Sequence, residues 1–360
     1  MPATRQLCAI TTILTLVLFG TFLVSCSGGK GPGGRSDVVS LQGAGATFPN
    51  PLYQKWISEY GKLHPNVRMD YQSIGSGGGI KQIQAQTVDF GASDSPMKDE
   101  DLKTAPAPLL HIPTVLGAVV LTYNLNGAGE PLKFSPDVIA DIFLGKIKKW
   151  NDARIKTDNP NAALPANDIT VVHRSDGSGT SAVFTDYLSK VSAEWKEKVG
   201  AGTSPSWPVG IGGKGNEGVT GQVKNTPNTI GYVELAYAVQ NKLPVASIKN
   251  QAGEFIQPTL EAVTAAARES IASTPDDLRV SITNASGKGT YPVSSYTYIL
   301  VYKEQKDALK GKAIVDFLWW GTHDGEQYAQ VLQYAPLPAE MVQRAEAKIN
   351  SITAGGRALR

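Results

Sequence analysis

The chain has 360 residues, 41% of them hydrophobic and 18% charged, with 37 glycines and 22 prolines. That is the composition of a globular chain long enough for two domains, which excludes a disordered or collagen-like one. A formal net charge of +2 supplies no basic field, which argues against nucleic acid as the partner and leaves any anion to a local site.

Taken in chain order, the N-terminus reads first as an address. Arg5 is the only charge before an apolar stretch from about Ala9 to Phe22, too short for a comfortable membrane span. Leu23-Val24-Ser25-Cys26 follows and resembles the lipobox of bacterial lipoprotein signal peptides. The resemblance implies that residues 1–25 are removed, that Cys26 is lipidated, and that the exported protein is anchored to a membrane in the periplasm or at the cell surface. An ordinary secretory signal with an incidental cysteine is the plainer alternative. Cys8 lies within the signal, so the mature chain folds without disulfides. Cleavage removes one arginine and no acid, giving 33 − 32 = +1 for the mature body. Residues 26–37, glycine-rich and without an apolar side chain after Cys26 other than Pro32, read as the lipidated cysteine and a flexible tether.

Val38 to Leu41 is a strand candidate that runs into Gly43-Ala44-Gly45-Ala46-Thr47-Phe48-Pro49. Leu52, Trp56 and Tyr60 then recur at helical spacing from about Pro51, with Gly61 expected as the stop. Val67 to Ser73 reads as a second strand, and Ser76 is placed at the N-cap of a short helix among Gly75, Gly77, Gly78 and Gly79. Val88 to Ala92 is a third strand, and Pro96 makes a turn that leaves Asp94 hanging at its end. Two long apolar strands, Pro113–Tyr123 and Tyr296–Tyr302, bracket everything between them. Inside the bracket, Ser135-Pro136-Asp137 opens a helix stopped by Gly145, and Ile230 to Val233 reads as a buried strand. The glycine run 210–215 is expected to shape a cleft rim with no direct ligand role. Helices over 308–320 and 339–352 close the chain.

The centre of the pattern is Arg174-Ser175-Asp176-Gly177-Ser178-Gly179-Thr180-Ser181, a turn between the strand Ile169–Val172 and a helix whose apolar face begins at Ala182. Glycines let backbone approach a ligand, hydroxyls cap the helix, and the helix start offers unpaired N–H groups to an anion. Arg174 adds a permanent charge with a fork suited to oxyanions. The stretch is not a nucleophile elbow, because Asp176 stands where G-x-S-x-G needs its first glycine, and no Gly-Lys-Ser/Thr makes it a P-loop. Thr47–Phe48 and Ser76 sit in two further copies of the construction. An acid beside an anion site is coherent when the anion carries a proton to give, since a carboxylate only accepts.

Alternating strands and helices predict parallel α/β sheets with ligands beyond the strands' carboxyl ends. The bracket predicts two lobes, one built from residues 38–118 and 294–354, the other inserted as residues 119–293.

GAGATFP at 43–49, YQSIGSGGG at 71–79, VDFGASDSP at 88–96 and RSDGSGTS at 174–181 resemble the PstS family, the phosphate-binding proteins of bacterial phosphate ABC transporters. FLGKIKKWND at 143–152, PVGIGGKGNEGV at 208–219 and IGYVELAYA at 230–238 extend the likeness over nearly all of the mature chain. The resemblance implies an α/β, two-lobed periplasmic-binding-protein fold of type II, with mixed sheets flanked by helices and the ligand cleft between lobes. It implies a monomeric, non-enzymatic receptor that holds phosphate without metal or cofactor and delivers it to transmembrane permease subunits with a cytoplasmic ATPase. The contacts it implies are the Thr47 hydroxyl, the Phe48 N–H, Ser76 by side chain and backbone, Asp94 accepting a hydrogen bond from the phosphate's proton, and Arg174 aided by Ser178, the Gly179 N–H and Thr180. Asp176 would orient Arg174. His173 and Gly77 depart from the familiar pattern, where a basic residue and a serine are common. A receptor for another oxyanion such as sulfate, a secreted phosphatase, and a sensing or adhesive surface protein are the alternatives. Asp94 weighs against sulfate, and the scattered His64, His111, His173 and His323 weigh against a hydrolase.

Overall fold

The computed structural model describes residues 38–127, 129 and 131–360. The signal segment, Cys26 and the tether lie outside the described residues. Strand β1 (Val39–Gly45) leads into α1 (Asn50–Leu63), and β2 (Val67–Ser73) into α2 (Ser76–Gln84). Strand β3 (Phe90–Ser93) and the long β4 (Leu109–Asn124) follow. After α3 (Pro136–Phe143) come β5 (Thr170–Arg174), α4 (Gly179–Val191), β6 (Ile211–Gly213) and α5 (Gly215–Asn225). Strand β7 (Thr229–Glu234) and α6 (Leu235–Gln240) precede α7 (Leu260–Ser270) and β8 (Ser294–Tyr302), and α8 (Ala308–Thr322) and α9 (Ala339–Asn350) complete the main elements.

Eight strands form one sheet in the order β2-β1-β3-β8-β4-β7-β5-β6. Within each half the strands are parallel, as the alternation predicts: β1 with β2 and β3, and β5 with β6 and β7. The sheet as a whole is mixed, because β8 runs antiparallel to β3 and β4, and β4 runs antiparallel to β7. Residues 109–118 of β4 pair with β8, and Val119–Asn124 pair with β7, so one continuous strand serves both halves. It carries apolar side chains on both faces because helices cover both, as its unbroken buried run from His111 to Tyr123 records. The core beneath the first half gathers Trp56, Tyr60 and Phe317. In the second half, Tyr232 stacks on Phe184 at 4.5 Å and on Trp207 at 5.5 Å.

Three local expectations need correction. Helix α1 runs through Gly61 to Leu63, because that glycine faces open space and stays helical; the chain leaves the helix at His64, ahead of Pro65. Ser76 is the first helical residue of α2, with Gly75 as the cap, at φ +86° in the left-handed range that favours glycine. Ser135 precedes α3 as expected, but its hydroxyl bonds Asp158 at 2.8 Å and leaves the helix start uncapped.

Candidate functional site

The carboxyl ends of β1, β2, β3, β5 and β6 converge, each followed by a turn or a helix start, so the backbone directs N–H groups toward one place. Among the described hydrogen bonds, the N–H groups of Phe48, Ser76, Gly179 and Thr180 have no acceptor in the chain. Ser178 caps α4, its Oγ accepting from Ser181 N at 3.0 Å, which leaves its own proton to give. Thr47, Phe48, Ser76, Asp94, Arg174, Ser178 and Thr180 are all buried. Hydrogen bonds and close approaches bring Ser76, Asp94, Arg174, Asp176, Gly179 and Thr180 together, with Thr47 joined through Asn216, whereas Cys26 lies outside the described residues.

The halves touch here. The Gly77 N–H donates to the Gly177 carbonyl at 2.9 Å. A Cβ on Gly179 would lie 2.2 Å from Ser76 Oγ and 2.5 Å from Asp94 Oδ2, so only a glycine admits this approach. A side chain at position 77 would bring its Cβ to 3.1 Å from Gly177 Cα, a tight contact that glycine avoids. His173, the other departure, lies flat on Trp207 at 5.0 Å, with Nδ1 3.0 Å from the Arg174 carbonyl and no bond to a site hydroxyl.

Arg174 is held as a fork. Its Nε and Nη2 donate to the two Asp176 oxygens at 2.8 and 2.6 Å, and Nη1 donates to Thr180 Oγ1 at 3.3 Å. Of five N–H groups, one on each terminal nitrogen is left for a ligand. Burial pushes the Asp176 carboxyl upward, but the Arg174 bonds and charge, with the Gly215 N–H at 3.0 Å, outweigh it and hold the acid below its usual range. Asp176 thus fixes the plane of the guanidinium and offsets part of its charge.

Asp94 is the opposite case. Burial pushes its carboxyl up to about 7, and the Thr297 hydroxyl at 2.9 Å, the Arg174 charge and Ser76 lower it without cancelling that cost. Its Oδ1 accepts from Thr297, while Oδ2 accepts a long bond from the Ser76 hydroxyl at 3.4 Å and faces the approach of Gly179. The site is a ring of donors with one acid whose proton is in play near neutral pH. Such a set recognises a tetrahedral oxyanion that itself carries a proton.

Sequence reasoning missed two participants. Thr297, on β8, meets Asp94 only because the chain returns to β3 after 200 residues of other structure, and no local signal marks it. Asn216 carries no local signal of its own beside the run 210–215, which reads from sequence as a rim. That run is the edge strand β6 followed by α5, a fourth strand-to-helix turn, and Asn216 stands on its first helical turn where Ser76 stands on α2. Its Nδ2 donates to Thr47 Oγ1 at 2.7 Å and Thr180 Oγ1 at 3.1 Å. Among the described residues no group of His, Cys, Asp and Glu is placed to hold a metal.

With this geometry in hand, likeness to known proteins becomes informative. Residues 30–322 match the PBP superfamily domain. The chain is 49% identical over 311 residues to the phosphate-binding protein PstS of Xylella fastidiosa, covering 86% of this chain and 84% of that one. The chain belongs to the PstS family. A second PstS, from Pasteurella multocida, is 47% identical over 338 residues, 93% of this chain and 94% of its own. The same fold appears in a periplasmic phosphate-binding protein, PfluDING, solved with bound phosphate, at a TM-score of 0.68 and 21% identity over 86% of this chain and 93% of that one. PstS proteins are solute receptors rather than enzymes, and what this site offers a ligand is charge and hydrogen bonds.

Proposed function

We propose that this chain is an extracytoplasmic phosphate receptor that closes on inorganic phosphate and delivers it to the permease of an ABC transporter. The observation that carries the reading is the pairing of opposites at one point: four free backbone N–H groups and a forked arginine on one side, and a buried acid on the other. Thr47, Phe48, Ser76, Ser178, Gly179 and Thr180 donate to phosphate oxygens, Arg174 supplies the charge, and Asp94 accepts a hydrogen bond from the ligand's protonated oxygen. Sulfate, which has no proton near neutral pH, meets Asp94 as one lone pair meets another. Residues 38–118 and 294–354 act as one lobe and 119–293 as the other, hinged where β4 changes partner between Ala118 and Val119. Hinge closure around a ligand is the motion expected of two lobes joined through a shared strand. The chain acts as a monomer, tethered through a lipid on Cys26. No described helix is long and apolar enough to cross a membrane.

Calorimetric titration with phosphate, sulfate and arsenate, beside a phosphatase assay, tests the reading. Tight phosphate binding, sulfate weaker by roughly 10⁴-fold or more, and no turnover are expected. Equal affinities for phosphate and sulfate, or hydrolysis of a phosphate ester, would overturn it.

A further inference from the structure

Asn216 lies outside the contacts ascribed to phosphate above, yet every polar atom of its side chain is committed. Its Oδ1 accepts the Glu234 N–H at 2.9 Å. A backbone N–H can only donate, so this bond fixes which way the amide faces and turns both Nδ2 hydrogens to the two threonines. One reaches Thr47 Oγ1 at 2.7 Å and the other Thr180 Oγ1 at 3.1 Å.

Each threonine oxygen then receives a second donor. Thr47 Oγ1 also accepts the Asn216 N–H at 3.2 Å, and Thr180 Oγ1 also accepts Arg174 Nη1 at 3.3 Å. A hydroxyl has two lone pairs and one proton. With both pairs taken on each oxygen, the proton is all that either hydroxyl has left to offer. Thr47 follows β1 and Thr180 belongs to α4, so the same amide also ties the two halves of the sheet across the cleft.

We propose that Asn216 is a positioning residue for oxyanion selectivity: it converts Thr47 and Thr180 from ambivalent hydroxyls into obligate donors and latches the closed cleft through them. The proposal rests on the phosphate reading given above. It explains how Thr47 and Thr180, hydroxyls that could serve either polarity, are left as donors beside the acceptor Asp94, in a site that favours an anion with a proton to give.

The test uses the mature chain with Asn216→Asp, Asn216→Ala, Thr47→Val and Thr180→Val, singly and in pairs, titrated with inorganic phosphate. Asp keeps the shape of Asn and the bond from Glu234, but its second oxygen accepts, so it draws both threonine protons away from the ligand. Asn216→Asp is expected to weaken phosphate by on the order of 10³-fold, and Asn216→Ala by only about tenfold, mainly through faster release. A purely structural asparagine predicts the reverse order, since Ala leaves a hole and Asp does not. Like-charge repulsion alone would leave the threonine effects additive. Here, Thr47→Val and Thr180→Val each cost about tenfold in the wild-type background and nothing beside Asn216→Asp. Additive costs, or an Asn216→Ala loss as large as that of Asn216→Asp, would overturn the proposal. Failure of the wild-type chain to bind phosphate in the same titrations would instead sink the reading of the site. Thermal midpoints of the ligand-free variants identify any that fail to fold, and for those Asn216→Ser with the same threonine cycle replaces the charge-bearing arm: a serine amide-deletion that leaves Thr47→Val and Thr180→Val at full cost refutes the coupling.

Discussion

Gly179 and Ser76 come together across the cleft so closely that the missing Cβ of one would overlap the hydroxyl of the other, at 2.2 Å. The contact couples the start of α4 to the start of α2, and the Asp94 Cβ lies 2.8 Å from the same point. Gly179→Ala places a methyl between the halves, while its helical position welcomes alanine in the separated state. Phosphate affinity is expected to fall by at least about 100-fold with the ligand-free thermal midpoint unchanged or slightly raised. Calorimetry beside a melting curve checks both; wild-type affinity would show that the halves need not close to this distance.

Arg174 and Asp176 should separate in magnitude. Arg174→Ala removes a buried charge with two free N–H groups and is expected to cost on the order of 2–5 kcal/mol of phosphate binding. Asp176→Ala leaves the charge but frees the fork to swing, and the loss is expected to be about 1–2 kcal/mol. Arg174→Lys does not restore affinity, because a single ammonium cannot hold Asp176 in two bonds and still reach the ligand. Equal losses for the Arg174 and Asp176 variants in calorimetric titration would contradict this division.

Asp94 links selectivity to pH. Its carboxyl is raised to about 7 by burial, so the folded protein holds this proton more tightly than the unfolded chain does. The stability it contributes is full below the ordinary pKa of an aspartate and is lost as pH rises through about 7. Asp94→Asn removes the ionisation and is expected to raise the ligand-free melting temperature at pH 8.5, with a gap over wild type that shrinks toward pH 5. Its amide also donates to any oxyanion, which narrows the phosphate-to-sulfate ratio by at least about tenfold, mainly by strengthening sulfate. A pH-independent difference in melting temperature, or an unchanged ratio in competition titrations, would remove Asp94 from this role.

Anchoring is separable from binding. Cys26→Ser is expected to move the protein from the membrane fraction to the soluble exported fraction with phosphate affinity intact, because the body from β1 onward holds the whole site. A mutant that stays membrane-bound until detergent is added would end the lipoprotein reading.

What the sequence shows and what it hides divide along a physical line. The strand-to-helix turns at Thr47, Ser76 and Arg174 were legible because glycine, a hydroxyl and the change from strand to helix periodicity fall within a few residues. Asp94 was legible because Pro96 ends its strand. Thr297 was not, since its partner is set by the pairing of β8 with β3, a contact between distant segments. Asn216 was hidden for a different reason: glycine runs look alike whether they shape a rim or open a helix, and only the third dimension shows Gly215 N–H on Asp176 and the amide beside it on Thr47. Helix ends failed where local punctuation met tertiary demand, as at Gly61 and Ser135.

The place of β8 in the sheet has a consequence for how the protein is made. This strand sits between β3 and β4, yet residues 125–293 are synthesised after β4 and before it. Until it arrives, β3 and β4 each lack a neighbour, and the first hundred residues cannot complete a core, whatever their local preferences. Closing so long a loop is slow relative to the helix and hairpin steps that fold small domains during translation. A nascent chain of this design leaves the ribosome unlocked, and only the segment made last, from Ser294 onward, turns the key.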